Sequence, residues 1–256
     1  MSKRILALVV LVLLVAAGAP AQKKKQKGPS KGAQYEYEKA ILSANYGLED
    51  EALKYLAQAI AMDPKHADSY KLMGLLQFRK KNYPECVAAY EKYLGFNPAD
   101  SETLANLGIS YEFMGQPDKA EAEYKKAIEL DGNANACFGL AKLCLEQKRF
   151  PEAEDYAGRA VAKSPKSAAA HNLMGVVFNQ QKKYQEAAAS FERGLLLAPD
   201  DVNVSVNLGV ALINCREYAK ARKVLEQALP RIEDPELRKK VEGYIELAAG
   251  QLEPAG

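Results

Sequence analysis

Apolar and small residues recur along most of this chain in a pattern that repeats about every 34 residues. Gly74 and Gly108 are 34 residues apart, and so are Gly175 and Gly209. Within each copy, the apolar positions follow spacings of three and four residues, which place them along one face of an α-helix. Each copy has two such stripes, with a breaker such as Gly47 between them. The pattern therefore predicts a helical hairpin in every copy.

The copies follow one another from about residue 33 to residue 235. A proline follows the second helix of several copies, since proline cannot continue an α-helix. Pro64 and Pro98 are 34 residues apart, as are Pro165 and Pro199. We predict six units, at residues 33–66, 67–100, 101–133, 134–167, 168–201 and 202–235. Repetition of this length is typical of a stacked array, in which each unit buries its apolar face only against its neighbours.

The second unit shows most fully which residue types the repeat uses. Its positions 4, 7, 8, 20, 24, 27 and 32 are occupied by Tyr70, Met73, Gly74, Cys86, Tyr90, Tyr93 and Pro98. This pattern resembles the tetratricopeptide repeat (TPR) family. The resemblance implies an all-α fold, a right-handed α-solenoid of about six TPR hairpins. It also implies that the first helix of each hairpin lines a concave groove that binds protein.

A further helix is predicted after the sixth unit. Asp234 is suited to cap its N-terminus, and Pro235 to occupy its first turn. One apolar face is then formed by Leu237, Val241, Tyr244, Ile245 and Ala248. We predict a capping helix over residues 236–252 that covers the open face of the last hairpin.

The N-terminus has the three parts of a secretory signal peptide. Lys3 and Arg4 precede an apolar run over residues 5–17, and small residues around Ala21 favour cleavage there. We therefore predict a signal peptide at residues 1–21 and a periplasmic or secreted protein. The alternative is an uncleaved membrane anchor with a cytoplasmic array, because lysines after the apolar run favour retention of that side.

Residues 22–32 are predicted to form a flexible linker, since they have no side chains suited to a core. Five of them are lysine: Lys23, Lys24, Lys25, Lys27 and Lys31. These lysines favour either a solvated tether or weak contact with an anionic membrane surface. Without Lys3 and Arg4 the formal charge of +2 falls to about zero, and without the linker lysines the array is near −5. An acidic array without basic stripes does not favour nucleic acid as a partner.

The sequence has few residues or motifs typical of a catalytic or metal site. The four cysteines, Cys86, Cys137, Cys144 and Cys215, fall where core packing explains them. There is no Cys-x-x-Cys, and the two histidines are far apart in sequence, so we expect no metal site. No phosphate-binding loop or nucleophile motif occurs, so we predict no cofactor and no enzymatic activity.

Function is therefore expected in the groove, at positions of the first helices that face inward. The candidate peptide-binding residues are Tyr37, Ile41, Lys71, Leu75, Phe78, Asn106, Ile109, Phe113, Asn172, Val176, Asn179, Asn203, Asn207, Val210 and Asn214. Asparagine is a poor helix-interior residue, so the asparagines favour a binding role. Each offers an acceptor and two donors, which match the backbone of an extended peptide. Some TPR proteins use such a row, and Asn106 and Asn207 match its usual position, with Asn172 offset by one.

Three functions are consistent with these observations. The first is an exported scaffold that holds an extended segment of a partner protein, assisting assembly of an envelope complex. A signal followed by six repeats is similar to bacterial pilus-assembly TPR lipoproteins, although no lipidation cysteine follows the apolar run. The second is a membrane-anchored cytoplasmic adaptor, and the third a non-catalytic subunit that recruits substrate to an enzyme. The sequence does not name the partner or the oligomeric state.

Overall fold

The computed structural model describes residues 30–252, and these residues form thirteen α-helices, one short 3-10 helix and no strand. The predicted signal peptide and all but the last three residues of the predicted linker lie outside the described residues. The helices form six consecutive hairpins and one final helix. They are α1 (Lys31–Asn45) and α2 (Glu49–Met62), α3 (Ala67–Arg79) and α4 (Tyr83–Phe96), α5 (Ser101–Phe113) and α6 (Pro117–Asp131), α7 (Ala134–Glu146) and α8 (Phe150–Lys163), α9 (Ala168–Gln180) and α10 (Tyr184–Leu197), α11 (Val202–Asn214) and α12 (Tyr218–Ala228), and α13 (Pro235–Gly250).

Each helix packs chiefly against the helices before and after it in the chain. First helices of adjacent hairpins also touch, as α5 touches α7 and α7 touches α9. No helix has to reach a partner far away in sequence, so the core grows along one direction. The predicted all-α solenoid of helical hairpins is confirmed over the described residues.

Within a hairpin, an aromatic ring on the second helix lies directly over a glycine on the first. A Cβ atom built on Gly74 would lie 2.5 Å from the ring of Tyr90, so only glycine permits this approach. The same arrangement recurs in the pairs Gly108–Tyr124, Gly175–Phe191 and, with leucine in place of the ring, Gly209–Leu225. This contact fixes how closely the two helices of a hairpin approach.

The turn between the two helices of each hairpin needs a residue in the left-handed region. Gly47 and Gly115 supply it in the first and third hairpins. In the other four the residue is a cation, with φ between 60° and 62°: Lys81, Lys148, Lys182 and Arg216. The N–H groups of this residue and the next bond back to the end of the first helix, as Lys182 and Lys183 do to Asn179 and Phe178. A side chain in this conformation is strained relative to glycine.

The buried core divides into clusters along the array. The largest runs from Cys86 to Val177, across helices α4 to α9. A small cluster in α1–α3 lies before it, and two others in α10–α13 follow it. In the last of these, Val241 of α13 packs on Leu225 and Val206. The final helix thus covers apolar surface of the sixth hairpin.

Two expectations need correction. Helix α1 begins at Lys31, inside the predicted linker, because the Ser30 hydroxyl accepts a hydrogen bond from the Ala33 N–H and caps the helix. Cys215 is only partly buried, since it lies just after the last residue of α11, whereas Cys86, Cys137 and Cys144 are fully buried. None of the four cysteines forms a disulfide. Among helices within residues 30–252, none is long and apolar enough to span a membrane.

Candidate peptide-binding groove

The first helices of the first three hairpins together line a cleft of about 240 Å³, which we call the acidic cleft. Leu72 and Leu75 of α3 and Tyr37 of α1 supply its apolar surface. Its lining residues are Tyr37, Asp68, Lys71, Leu72, Leu75, Tyr90, Glu102 and Asn106. The predicted groove residues Tyr37, Lys71, Leu75 and Asn106 therefore lie at one site.

The Lys71 ammonium is held by carboxylates of its own chain. Its Nζ lies 2.9 Å from Asp100 Oδ2 and 3.3 Å from Glu102 Oε2. Burial alone would lower the pKa of Lys71, but the hydrogen bonds to these two carboxylates outweigh it, and the pKa is raised. This cation is therefore occupied, and it is not available to clamp a carboxylate of a ligand.

Asp100 is the centre of this network. Burial would raise its pKa, but hydrogen bonds from the Tyr93 hydroxyl at 2.6 Å, from the Thr103 N–H and from Lys71 lower it to about 2. Asp100 also caps the N-terminus of α5 through the bond from Thr103. The network joins the start of the third hairpin to α3 and α4 of the second.

The acidic cleft carries excess negative charge. Asp68 is exposed and makes no ion pair with the residues that the structure describes. The carboxylates of Asp68, Asp100 and Glu102 against the one ammonium of Lys71 leave a formal charge of −2. Burial, and after it the nearby Asp68 carboxylate, raises the pKa of Tyr37. The electrostatic potential of the cleft therefore favours cations.

Three aromatic rings meet farther along the same face. The ring centroid of Phe78 lies 5.6 Å from that of Phe113, and Tyr83 stacks on Phe113 at 4.9 Å with the ring planes 7° apart. Phe113 is still 59% exposed, and it borders a second cleft of about 380 Å³ toward Leu143. Tyr83 is not among the residues predicted for the groove. An aromatic residue recurs at this place in the repeat, as Phe150, Tyr184 and Tyr218, and that recurrence is the signal for it.

The asparagines of the last two hairpins do come together. Asn207 Nδ2 of α11 donates a hydrogen bond of 3.0 Å to Asn172 Oδ1 of α9. One N–H of Asn207, both N–H groups of Asn172 and the Asn207 carbonyl remain for other partners. Asn179 Oδ1 is buried without a hydrogen-bond partner among the described residues. Asn203 and Asn214 are exposed.

The remaining candidate groove residues are either packed against the core or exposed. Phe78 and Ile109 are partly buried against the largest core cluster, and Val176 against the next one. Val210 is partly exposed and Ile41 is exposed. No charged side chain occupies the predicted groove positions of α9 and α11, in contrast to the acidic cleft. Within residues 30–252, no three His, Cys, Asp or Glu side chains are grouped as metal ligands.

Comparison with known proteins identifies tetratricopeptide repeats over most of the array. One profile of the tetratricopeptide repeat matches residues 113–176 and 178–241, and a second matches residues 50–101. The type IV pilus assembly protein PilF of Pseudomonas aeruginosa is 28% identical over 159 residues, which are 61% of this chain and 63% of PilF. The chain spans from 28% to 40% of the length of seven further curated relatives.

Solved structures of similar architecture support the same assignment. The MamA protein, known from a crystal structure, is 25% identical to this chain in sequence, with a TM-score of 0.57 over 64% of this chain and 90% of that one. A tetratricopeptide repeat protein from Parabacteroides merdae is 18% identical, with a TM-score of 0.69 over 87% of this chain and 88% of that one. The second likeness concerns the fold alone.

Proposed function

This chain belongs to the tetratricopeptide repeat family, and we propose that it is a non-catalytic scaffold whose groove binds an extended segment of a partner protein. The family fold is one for protein interaction. In this proposal the groove follows the first helices, from Tyr37 in α1 to Asn214 in α11.

The Asn172–Asn207 pair is the observation that carries this proposal. An extended peptide has an N–H and a C=O group on every residue that needs a partner when water is removed. The two bonded amides present donors and an acceptor side by side, from adjacent hairpins, on a face without charge. Such a site pairs with backbone groups and makes little demand on the ligand's side chains.

We further propose that the protein is exported and assists assembly of an envelope complex. Two observations support this: the signal-like residues 1–21 and the resemblance to a pilus assembly protein. Cleavage should leave Gln22 as the first residue of the mature protein. N-terminal sequencing that recovers Met1 or Ser2 on the abundant species would instead support the membrane-anchored adaptor, which the five linker lysines favour.

The binding mode can be tested without knowing the natural partner. Random 12-residue peptides displayed on messenger RNA are selected on the purified full chain, and enriched peptides are measured by calorimetry. The double variant Asn172→Ala/Asn207→Ala should bind them at least about tenfold more weakly, since each lost hydrogen bond costs roughly 1 kcal/mol.

A matched control removes two amides from the second helices of the same two hairpins. Gln185 and Gln227 are exposed on α10 and α12, so Gln185→Ala/Gln227→Ala should leave affinity unchanged. Equal affinity of both double variants for the enriched peptides would show that the asparagines do not hold the ligand. Losses shared by unrelated peptides would indicate that the backbone is read.

A further inference from the structure

The acidic cleft has the size and surface of a pocket for one large side chain. Its volume of about 240 Å³ exceeds the roughly 150 Å³ of an apolar cavity that holds benzene. Leu75 is 39% exposed at its surface, and nothing in the described residues covers it. An aromatic or long aliphatic side chain would remove this apolar surface from water.

The charged residues at the rim of the cleft favour a basic residue next to that side chain in the ligand. Lys71 is held by Asp100 and Glu102, whereas Asp68 has no cation against it. A lysine or arginine of a ligand would complete this group, and a carboxylate would add to the repulsion. The asparagine face of α9 and α11 has no charged side chain at its groove positions, so it favours neither basic nor acidic residues in the ligand.

The two parts of the groove also set a minimum ligand length. Helix α3, in the cleft, and α9, in the asparagine pair, are three hairpins apart. Lys71 of α3 is paired with Glu102 of α5, and α5, α7 and α9 contact one another in turn. At about 10 Å for each step, the separation is about 30 Å. An extended chain covers this distance in about nine residues.

We propose that the bound segment carries a large apolar residue next to a lysine or arginine, and that this pair occupies the acidic cleft. The apolar side chain contacts Tyr37, Leu72 and Leu75, and its basic neighbour lies against Asp68 and Glu102. About nine residues away, the backbone of the same segment meets Asn172 and Asn207. This proposal rests on the proposed function, since it specifies the ligand of the same groove.

The peptide selection described above tests this inference with one more pair of variants. Peptides enriched on the unmodified chain should contain Lys or Arg beside a large apolar residue. Their affinity should fall about fivefold to tenfold in Asp68→Asn/Glu102→Gln and should weaken as salt is raised. Replacing the basic residue of the peptide by glutamate should have an equal or larger effect.

The matched control is Glu129→Gln/Glu192→Gln, which removes two exposed carboxylates from the second helices α6 and α10. It should leave affinity unchanged. Enrichment of acidic residues, or no change in Asp68→Asn/Glu102→Gln, would overturn the inference. If Asn172→Ala/Asn207→Ala still weakens binding in that case, the proposed function stands. Peptides that respond to neither variant overturn both.

A basic segment of the chain itself is the competing occupant. Residues 22–29 carry four lysines and directly precede Ser30, at the same end of the array as the cleft. A chain with Lys23, Lys24, Lys25 and Lys27 all replaced by glutamine should bind the enriched peptides as the unmodified chain does. A gain of tenfold or more would show that these lysines occupy the cleft, and it would overturn the assignment to a separate partner.

Discussion

The glycine–ring contact inside each hairpin makes a sharp prediction for the fifth hairpin. In Gly175→Ala the new Cβ would lie 2.5 Å from Phe191 Cε1 and 2.6 Å from its Cδ1. Phe191 is 1% exposed, so the ring has no free space to move into. Overpacking of this kind costs about 1–3 kcal/mol, against a gain of up to about 1 kcal/mol in helix propensity.

Gly158→Ala in α8 isolates the propensity gain, since nothing lies within 4 Å of a Cβ at that position. This variant should be more stable than the unmodified chain by about 0.5–1 kcal/mol. We therefore expect the two variants to differ by about 1–3 kcal/mol in free energy of unfolding. Urea unfolding followed by circular dichroism measures this difference, provided that the slope with urea is unchanged.

The chain suggests its own compensating substitution. In the first hairpin, alanine takes the glycine position and leucine the ring position, as Ala40 and Leu56, and both are fully buried. The double variant Gly175→Ala/Phe191→Leu reproduces this pair. Its loss of stability should be smaller than the sum of the two single losses by at least about 1 kcal/mol. Additivity within about 0.5 kcal/mol would refute the claim that the ring excludes a side chain at residue 175.

Three other predictions concern the turns, the acid response and the last helix. Lys182→Gly should raise the free energy of unfolding by about 0.5–1 kcal/mol, because glycine adopts φ near 61° without strain, and a loss in urea unfolding would contradict this. Asp100 has its pKa lowered from 3.8 to about 2, so its contribution is present above pH 4 to 5 and is lost as pH falls toward 2. Between pH 6 and pH 3, the free energy of unfolding of Asp100→Asn should therefore fall by about 1 kcal/mol less than that of the unmodified chain, as measured by urea unfolding. Equal decreases in the two proteins would exclude this role. Ending the chain before Pro235 should expose Leu225 and cause aggregation or fraying of α12, whereas a monomer with unchanged melting in light scattering and calorimetry would argue against a capping role.

The sequence predicts the fold well because the fold is made of local, periodic contacts. The 34-residue spacing and the glycine positions specify where hairpins begin and which faces meet. The relation between Gly74 and Tyr90 is visible as paired repeat positions before any coordinates are known. The hairpins pack chiefly against their neighbours in the chain, so most of the core follows from one repeat.

The site is less predictable, since it depends on side chains that differ between repeats. The pairing of Lys71 with Asp100 crosses from one hairpin to the next, and Lys71 does not recur at its position in the other repeats, although Asp201 recurs at the position of Asp100. The bond between Asn172 and Asn207 joins residues one repeat position out of register. The contact depends on rotamers and on the angle between α9 and α11, which periodicity does not specify. Tyr83 lies on a second helix, whereas the groove residues were predicted from the first helices alone.

The division of the core into clusters determines how such an array would respond to a ligand. We expect helices at either end to open with a lower free energy than the central block from α4 to α9, so their amide hydrogens should exchange first. A segment that touches both α3 and α11 would bind only while both ends are closed, and mass action would then suppress their opening. Protection would appear in α2 and α12, which have no contact with the ligand. Binding in the groove would thus be detectable as slower amide hydrogen exchange at the two ends of the array.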